Sequence, residues 1–161
     1  MKTQFFSSIV VAVSGAETSI RAAKYAVVLA KAWGSRLSAV YVVDTATIKQ
    51  LTLSKILIQE EGQEYERSLE ADGERYLSFV EELAQAKGVK CERVLRKGAI
   101  FTEILMAADE KNADLIILGG GEKDKSKRDI ILRSYGEVMI NARCSVLLAK
   151  EPEIDKIYKF T

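Results

Sequence analysis

The sequence contains no histidine. That removes the commonest general base and the commonest zinc ligand together, and with them any Ser-His-Asp or Cys-His device within the chain. Cysteine is nearly as scarce. Cys91 and Cys144 stand far apart, in neither a CxxC pair nor a zinc spacing, which reads as two reduced, buried thiols in a cytoplasmic protein. Proline occurs once, at Pro152, and no linker, internal repeat or low-complexity tract interrupts the chain. One domain is therefore expected over residues 1–150, with a loosely attached C-terminal tail at 151–161. No apolar run approaches the ~20 residues of a membrane span, and the opening segment has no small-residue cleavage site; the expectation is no membrane insertion. Charge of one sign is not in excess either. Lys and Arg number 24 against 23 Asp and Glu, so nothing in the net charge points to nucleic acid or an acidic membrane surface.

What is present is a regular alternation. Ser8–Val13, 37–43, 89–95, 114–119 and 145–149 are short runs rich in Val, Ile and Leu, each read as a buried strand. Between them, residues 16–33 and 100–111 carry apolar side chains at helical spacing, and Gly34 ends the first helix. Residues 46–87 are the least regular part and read as a mobile or partly helical connection followed by a long amphipathic helix. Its charged stretch, Gln59–Glu74, is either a solvated helix face or a surface for an unidentified protein partner. Residues 120–132 read as a loop, and 134–141 as a short helix. Strands alternating with helices give an α/β fold, a parallel five-stranded sheet with helices on both faces. In such sheets the ligand sits beyond the carboxyl ends of the strands, where strand order reverses.

Four features fall in the turns after the first and fourth strands. Ser14-Gly15-Ala16-Glu17 has capping-box spacing, which accounts for it as a helix start; the same turn also faces the expected ligand position. Gly119-Gly120-Gly121 permits close backbone approach and outward amides that hold anions. The segment Glu122–Asp129 carries four basic residues against three acidic ones, and Arg133 adds another; it is either a solvated loop or a basic lid. Ser134-Tyr135-Gly136-Glu137 repeats the capping-box spacing and marks a helix N-terminus that favours an anion. No carboxylate cluster has metal spacing. Asp44 alone could assist a magnesium-bound phosphate, and one carboxylate is a weak magnesium site.

These segments resemble the universal stress proteins up to about Lys150. The likeness is carried by Ile9–Ser19, Tyr41-Val42-Val43-Asp44, Gly98 with Glu103-Ile104-Leu105, Ala113–Gly119 and Cys144–Leu148, with Ser145 where that family usually has proline. The resemblance implies a Rossmann-like three-layer sandwich with strand order 3-2-1-4-5. It also implies a regulatory, stress-response homodimer formed through the last strands, and an ATP- or AMP-type pocket. Ala12, Ser14, Val42 and Leu118 would surround base and ribose; Gly119, Gly120, Lys123, Arg133 and Ser134 would face the phosphates. The family's G-x2-G-x9-G-[S/T] pattern is degenerate here. From Gly120, its later glycines fall on Lys123 and Arg133, and only Ser134 keeps its place. Ser14 stands where the family's ATP binders carry aspartate. The resemblance therefore leaves nucleotide binding weakened, altered or lost. Two alternatives stay open: an interaction module whose pocket has decayed, and an ATP pyrophosphatase-like enzyme. The second rests on a partial match of Ser14-Gly15-Ala16-Glu17-Thr18-Ser19 to S-G-G-x-D-S. No catalytic residue is assigned.

Overall fold

The structure, a computed structural model, describes residues 4–120, 123 and 125–161, the side chains of 126–132 excepted. Along the chain run β1 (Ser8–Val13), α1 (Glu17–Trp33), β2 (Arg36–Val43), α2 (Thr45–Leu53), α3 (Gln59–Gln85), β3 (Cys91–Lys97), α4 (Ile100–Glu110), β4 (Leu115–Gly119), α5 (Lys125–Asn141), β5 (Ser145–Ala149) and α6 (Ile154–Lys159). The strands form one sheet in the order β3-β2-β1-β4-β5. Every pairing is parallel.

The central strand shows why its sequence is apolar throughout. All six residues of β1 are buried, because helices cover both faces of the sheet. Ile9, Val11 and Val13 join Leu37, Ala39, Leu115 and Ile117 against the Ala22-Ala23-Ala26-Val27 stripe of α1 and Leu77, Val80 and Ala84 of α3. Val10 and Ala12 face the other way, with Val40, Ile116 and Leu118, against Ile104, Ala107 and Ala108 of α4 and Val138 of α5. Burying each such aliphatic side chain is worth about 1.5–3 kcal/mol. The α1 helix stops where Gly34 takes a φ of 66° and donates its amide to Ala30 O, a left-handed cap that glycine adopts without strain.

Four local expectations are corrected. The connection ahead of the expected long helix is itself helical: Asp44 caps α2, accepting from Thr47 N at 3.1 Å and Thr47 Oγ1 at 2.7 Å, and the long helix, α3, is present as expected and runs 27 residues. Its Gly62 lies against Ile48 and Thr52 of α2. Helix α5 begins at Lys125, so Ser134 is in mid-helix and offers no free N-terminal amides. From Lys125 to Tyr135 the chain has neither glycine nor proline and several good helix formers, which lets the helix start early. Ser14 is not the cap of α1 either: the N-cap is Ala16, which has no side-chain cap. The tail is not loose. Ile154 is buried, Tyr158 Oη donates to Leu83 O at 2.7 Å, and Lys24 pairs with Asp155 at 2.8 Å. No described helix is long and apolar enough to cross a membrane.

Candidate functional site

The turns after β1 and β4 meet. A β-carbon on Gly119 would lie 2.6 Å from Thr18 O and 3.0 Å from Ser19 N, so the end of β4 is pressed against the first turn of α1. The β1 turn is tied internally by the buried Ser19 hydroxyl. It accepts from Ser14 N at 2.7 Å and donates to Ala12 O at 3.5 Å. Ser14 Oγ accepts from Ala16 N at 3.3 Å, which leaves its own proton without an acceptor among the described residues.

Beside this junction, over the carboxyl ends of β1 and β2, lies a hollow of about 230 Å³. Ala12, Ser14 and Val42 line it, together with Asp44, Thr47, Tyr65, Leu69, Ile100, Ile104 and Tyr135. The α2–α3 hairpin supplies one wall and α4 another. The tyrosines are the feature that reading the sequence missed. Tyr65 and Leu69 have i, i+4 spacing, a signal of one shared helix face, but it was embedded in the charged run Gln59–Glu74. Tyr135 was hidden by its supposed place in a capping box; burial pushes its hydroxyl pKa up. Tyr41 is also raised, first by burial and then by Asp72, Tyr76 and Tyr65. Its ring stacks on Tyr76 with centroids 6.3 Å apart, and Tyr76 in turn packs over Gly15.

The other expected site residues are placed differently. Leu118 is fully buried in the core beneath the hollow. Gly120 donates its amide to Ala149 O at 2.8 Å, and a β-carbon there would lie 2.7 Å from Leu148 Cγ and 2.9 Å from Lys150 Cγ. Both glycines are thus accounted for by packing, and the Gly120 amide is committed within the sheet. Gly121, Glu122 and Asp124 lie outside the described residues. Lys123 and Arg133 are exposed, and Ser134 is half-buried. Asp44 spends its carboxylate on the α2 cap, and no group of three potential metal ligands gathers among the described residues.

A sequence profile described as the Universal stress protein family matches residues 6–150. Universal stress protein MJ0531 of Methanocaldococcus jannaschii is 34% identical over 155 residues, covering 92% of this chain and 84% of that protein. Universal stress protein YxiE of Bacillus subtilis is 29% identical over 147 residues, with 90% and 99% covered. Among solved structures, a universal stress protein family member from Burkholderia pseudomallei superposes with a TM-score of 0.73 at 23% identity, covering 94% of this chain and all of that one. A universal stress protein in complex with cAMP gives 0.66 at 19% identity, with 89% and 96% covered. One from Archaeoglobus fulgidus in complex with dAMP gives 0.62 at 19% identity, with 91% and 99% covered. This chain belongs to the universal stress protein family.

Proposed function

We propose that this protein is a nucleotide-responsive regulatory module that takes an adenosine monophosphate-type ligand in the hollow over β1 and β2. The observation that carries the reading is the convergence of Ala12, Ser14 and Val42 with Tyr65 and Tyr135 at the carboxyl edge of the sheet, next to the β1–β4 boundary where strand order reverses. Small-molecule sites run from about 300 to 1,000 Å³. A hollow of about 230 Å³ suits a base and ribose, and leaves phosphates outside. The phosphates are assigned to the exposed Lys123 and Arg133, whose charges would substitute for a backbone cradle. The cAMP and dAMP complexes of two relatives support the monophosphate.

Isothermal titration of the full chain with AMP, cAMP, ADP and ATP tests this. AMP or cAMP is expected to bind, with no gain in affinity from the β- and γ-phosphates. No heat from any of the four at millimolar concentration would overturn the reading. The same proposal includes a homodimer through β5. This is an edge strand, flanked on α5 by Met139 at 45% and Ile140 at 79% exposure. Light scattering should return twice the chain mass, falling to one mass in Ile140→Glu.

A further inference from the structure

Most polar side chains lining the hollow over β1 and β2 are already committed. The Asp44 carboxylate accepts from Thr47 N and Thr47 Oγ1, which spends the Thr47 proton as well. Ser14 Oγ accepts from Ala16 N. Tyr65 is 49% exposed, so water serves its hydroxyl whether or not a ligand is present. The Tyr41 ring is wedged between Gly73 and Tyr76 on the α3 face of the sheet. Tyr135 differs from all of these. It lines the hollow from α5, half-buried. It packs against the apolar cluster that holds Ala12, Val40 and Ile104 and is flanked by Val42 and Ile100, and these five line the hollow with it. Alternation along β1 and β2 puts Ala12, Val40 and Val42 on one face of the sheet, so ring and walls form a single compartment.

The Tyr135 hydroxyl has no hydrogen-bond partner among the described residues. It is not sealed off either, since the one enclosed side-chain nitrogen or oxygen without a partner among them is Arg21 Nε. A tyrosine this far from solvent ordinarily finds a partner for its hydroxyl. We infer that Tyr135 is the specificity-determining residue of this site, its hydroxyl hydrogen-bonding the purine base of the ligand. The inference rests on the monophosphate reading above and adds the group that reads the base. Apolar walls accept the flat face of a base; a ribose, polar on every side, would leave its own hydroxyls unpaired against them. A base that offers the phenol a partner is held, and one that does not is penalised, because the unmatched hydroxyl is then shut away from water.

Isothermal titration of the full chain compares wild type with Tyr135→Phe. The ligands are AMP, its 1-deaza, 3-deaza and 7-deaza analogues, and the analogue without the 6-amino group. Tyr135→Phe should bind AMP about five- to tenfold more weakly. One analogue should lose about the same factor in wild type and nothing further in Tyr135→Phe, and its identity names the atom contacted. The melting temperature of ligand-free Tyr135→Phe should equal or exceed that of wild type, because the hydroxyl holds nothing within the fold. Equal AMP affinity in the two proteins, additive losses for every analogue, or a lower melting temperature would overturn the inference and leave the nucleotide reading standing. Absence of AMP binding to wild type would instead sink that reading, and the inference with it.

Discussion

Gly73 and Tyr41 are fitted to each other across the interface of α3 and β2: a β-carbon on Gly73 would lie 2.5 Å from Tyr41 Cδ1 and 2.8 Å from Leu95 Cδ1. Glycine in a helix interior costs about 1 kcal/mol relative to alanine, so its presence in mid-α3 needs a reason. The reason is the buried Tyr41 ring, 7% exposed, which has no room to retreat because Tyr76 stacks on it. Gly73→Ala should therefore destabilise despite the better helix propensity, by up to about 2 kcal/mol once the ~1 kcal/mol propensity gain is set against the ~1–3 kcal/mol of overpacking. Urea denaturation measures this. In a Tyr41→Leu background the same substitution should cost less or stabilise, since the ring it meets is gone.

The same reasoning separates two roles for Gly119. If that glycine exists for a ligand, alanine there weakens binding and leaves the fold alone. The geometry argues the reverse, because the new methyl would meet the Thr18 carbonyl at 2.6 Å, and backbone atoms at both sides cannot swing away. Gly119→Ala is expected to lower unfolding free energy by about 2–3 kcal/mol in the absence of any nucleotide. Thermal melting of the ligand-free protein checks it. An unchanged melting temperature would return Gly119 to the list of ligand-facing residues.

These glycines show where the sequence is readable and where it is not. The β1 and β4 runs are apolar on both faces, so their strands and the α/β class follow from pattern alone, and β1 and β5 fall on the boundaries expected. The resemblance adds the 3-2-1-4-5 order, which pattern does not reach. What stays hidden is tertiary. Serine-x-x-glutamate spacing starts two residues ahead of the helix cap at Ser14 and inside a helix at Ser134, since i, i+3 spacing is also an ordinary helix-surface neighbour pair. Gly119-Gly120 reads as a ligand loop because the atoms that forbid a side chain there, Thr18 O and Leu148 Cγ, are distant in sequence. Tyr65 and Tyr135 become wall residues of one hollow only when α3 and α5 are placed on opposite faces of the sheet edge.

Cys91 carries a pH dependence whose direction follows from its burial. Removal from water pushes its thiol up to about 11, against an ordinary value of 9.0. Between those two values the unfolded chain has lost a proton that the folded chain still holds. Stability contributed by the protonated thiol is thus complete below about pH 8.5 and falls as pH rises through 9 to 11, by about 3 kcal/mol at most. Other groups titrate in the same window, so the measurement is a difference: urea unfolding of wild type and Cys91→Ala at pH 8 and pH 10.5. Wild type should lose more. The same shift makes Cys91 a slow nucleophile, since the thiolate is the reacting form, and iodoacetamide at pH 8 should modify it at least tenfold more slowly than it modifies a solvated cysteine.

The end of the chain is expected to contribute to stability, against its reading as a loose tail. Helix α6 runs alongside α1: Lys24 meets Asp155 and Lys31 Nζ donates to Thr161 O at 2.8 Å. Most of its hold is apolar. Ile154 is 2% exposed, and the surface ion pair adds little, since exposed pairs are worth about 0–1 kcal/mol. Three variants rank these contributions. Ile154→Ala should cost about 2–4 kcal/mol through the cavity it leaves. Tyr158→Phe removes the hydrogen bond to Leu83 O and should cost about 1 kcal/mol. Asp155→Ala should fall within about 0.5 kcal/mol of wild type. If denaturant titrations show Asp155→Ala to be the most damaging of the three, α6 is held by charge and its apolar packing is incidental; if all three match wild type, the helix is not docked in solution.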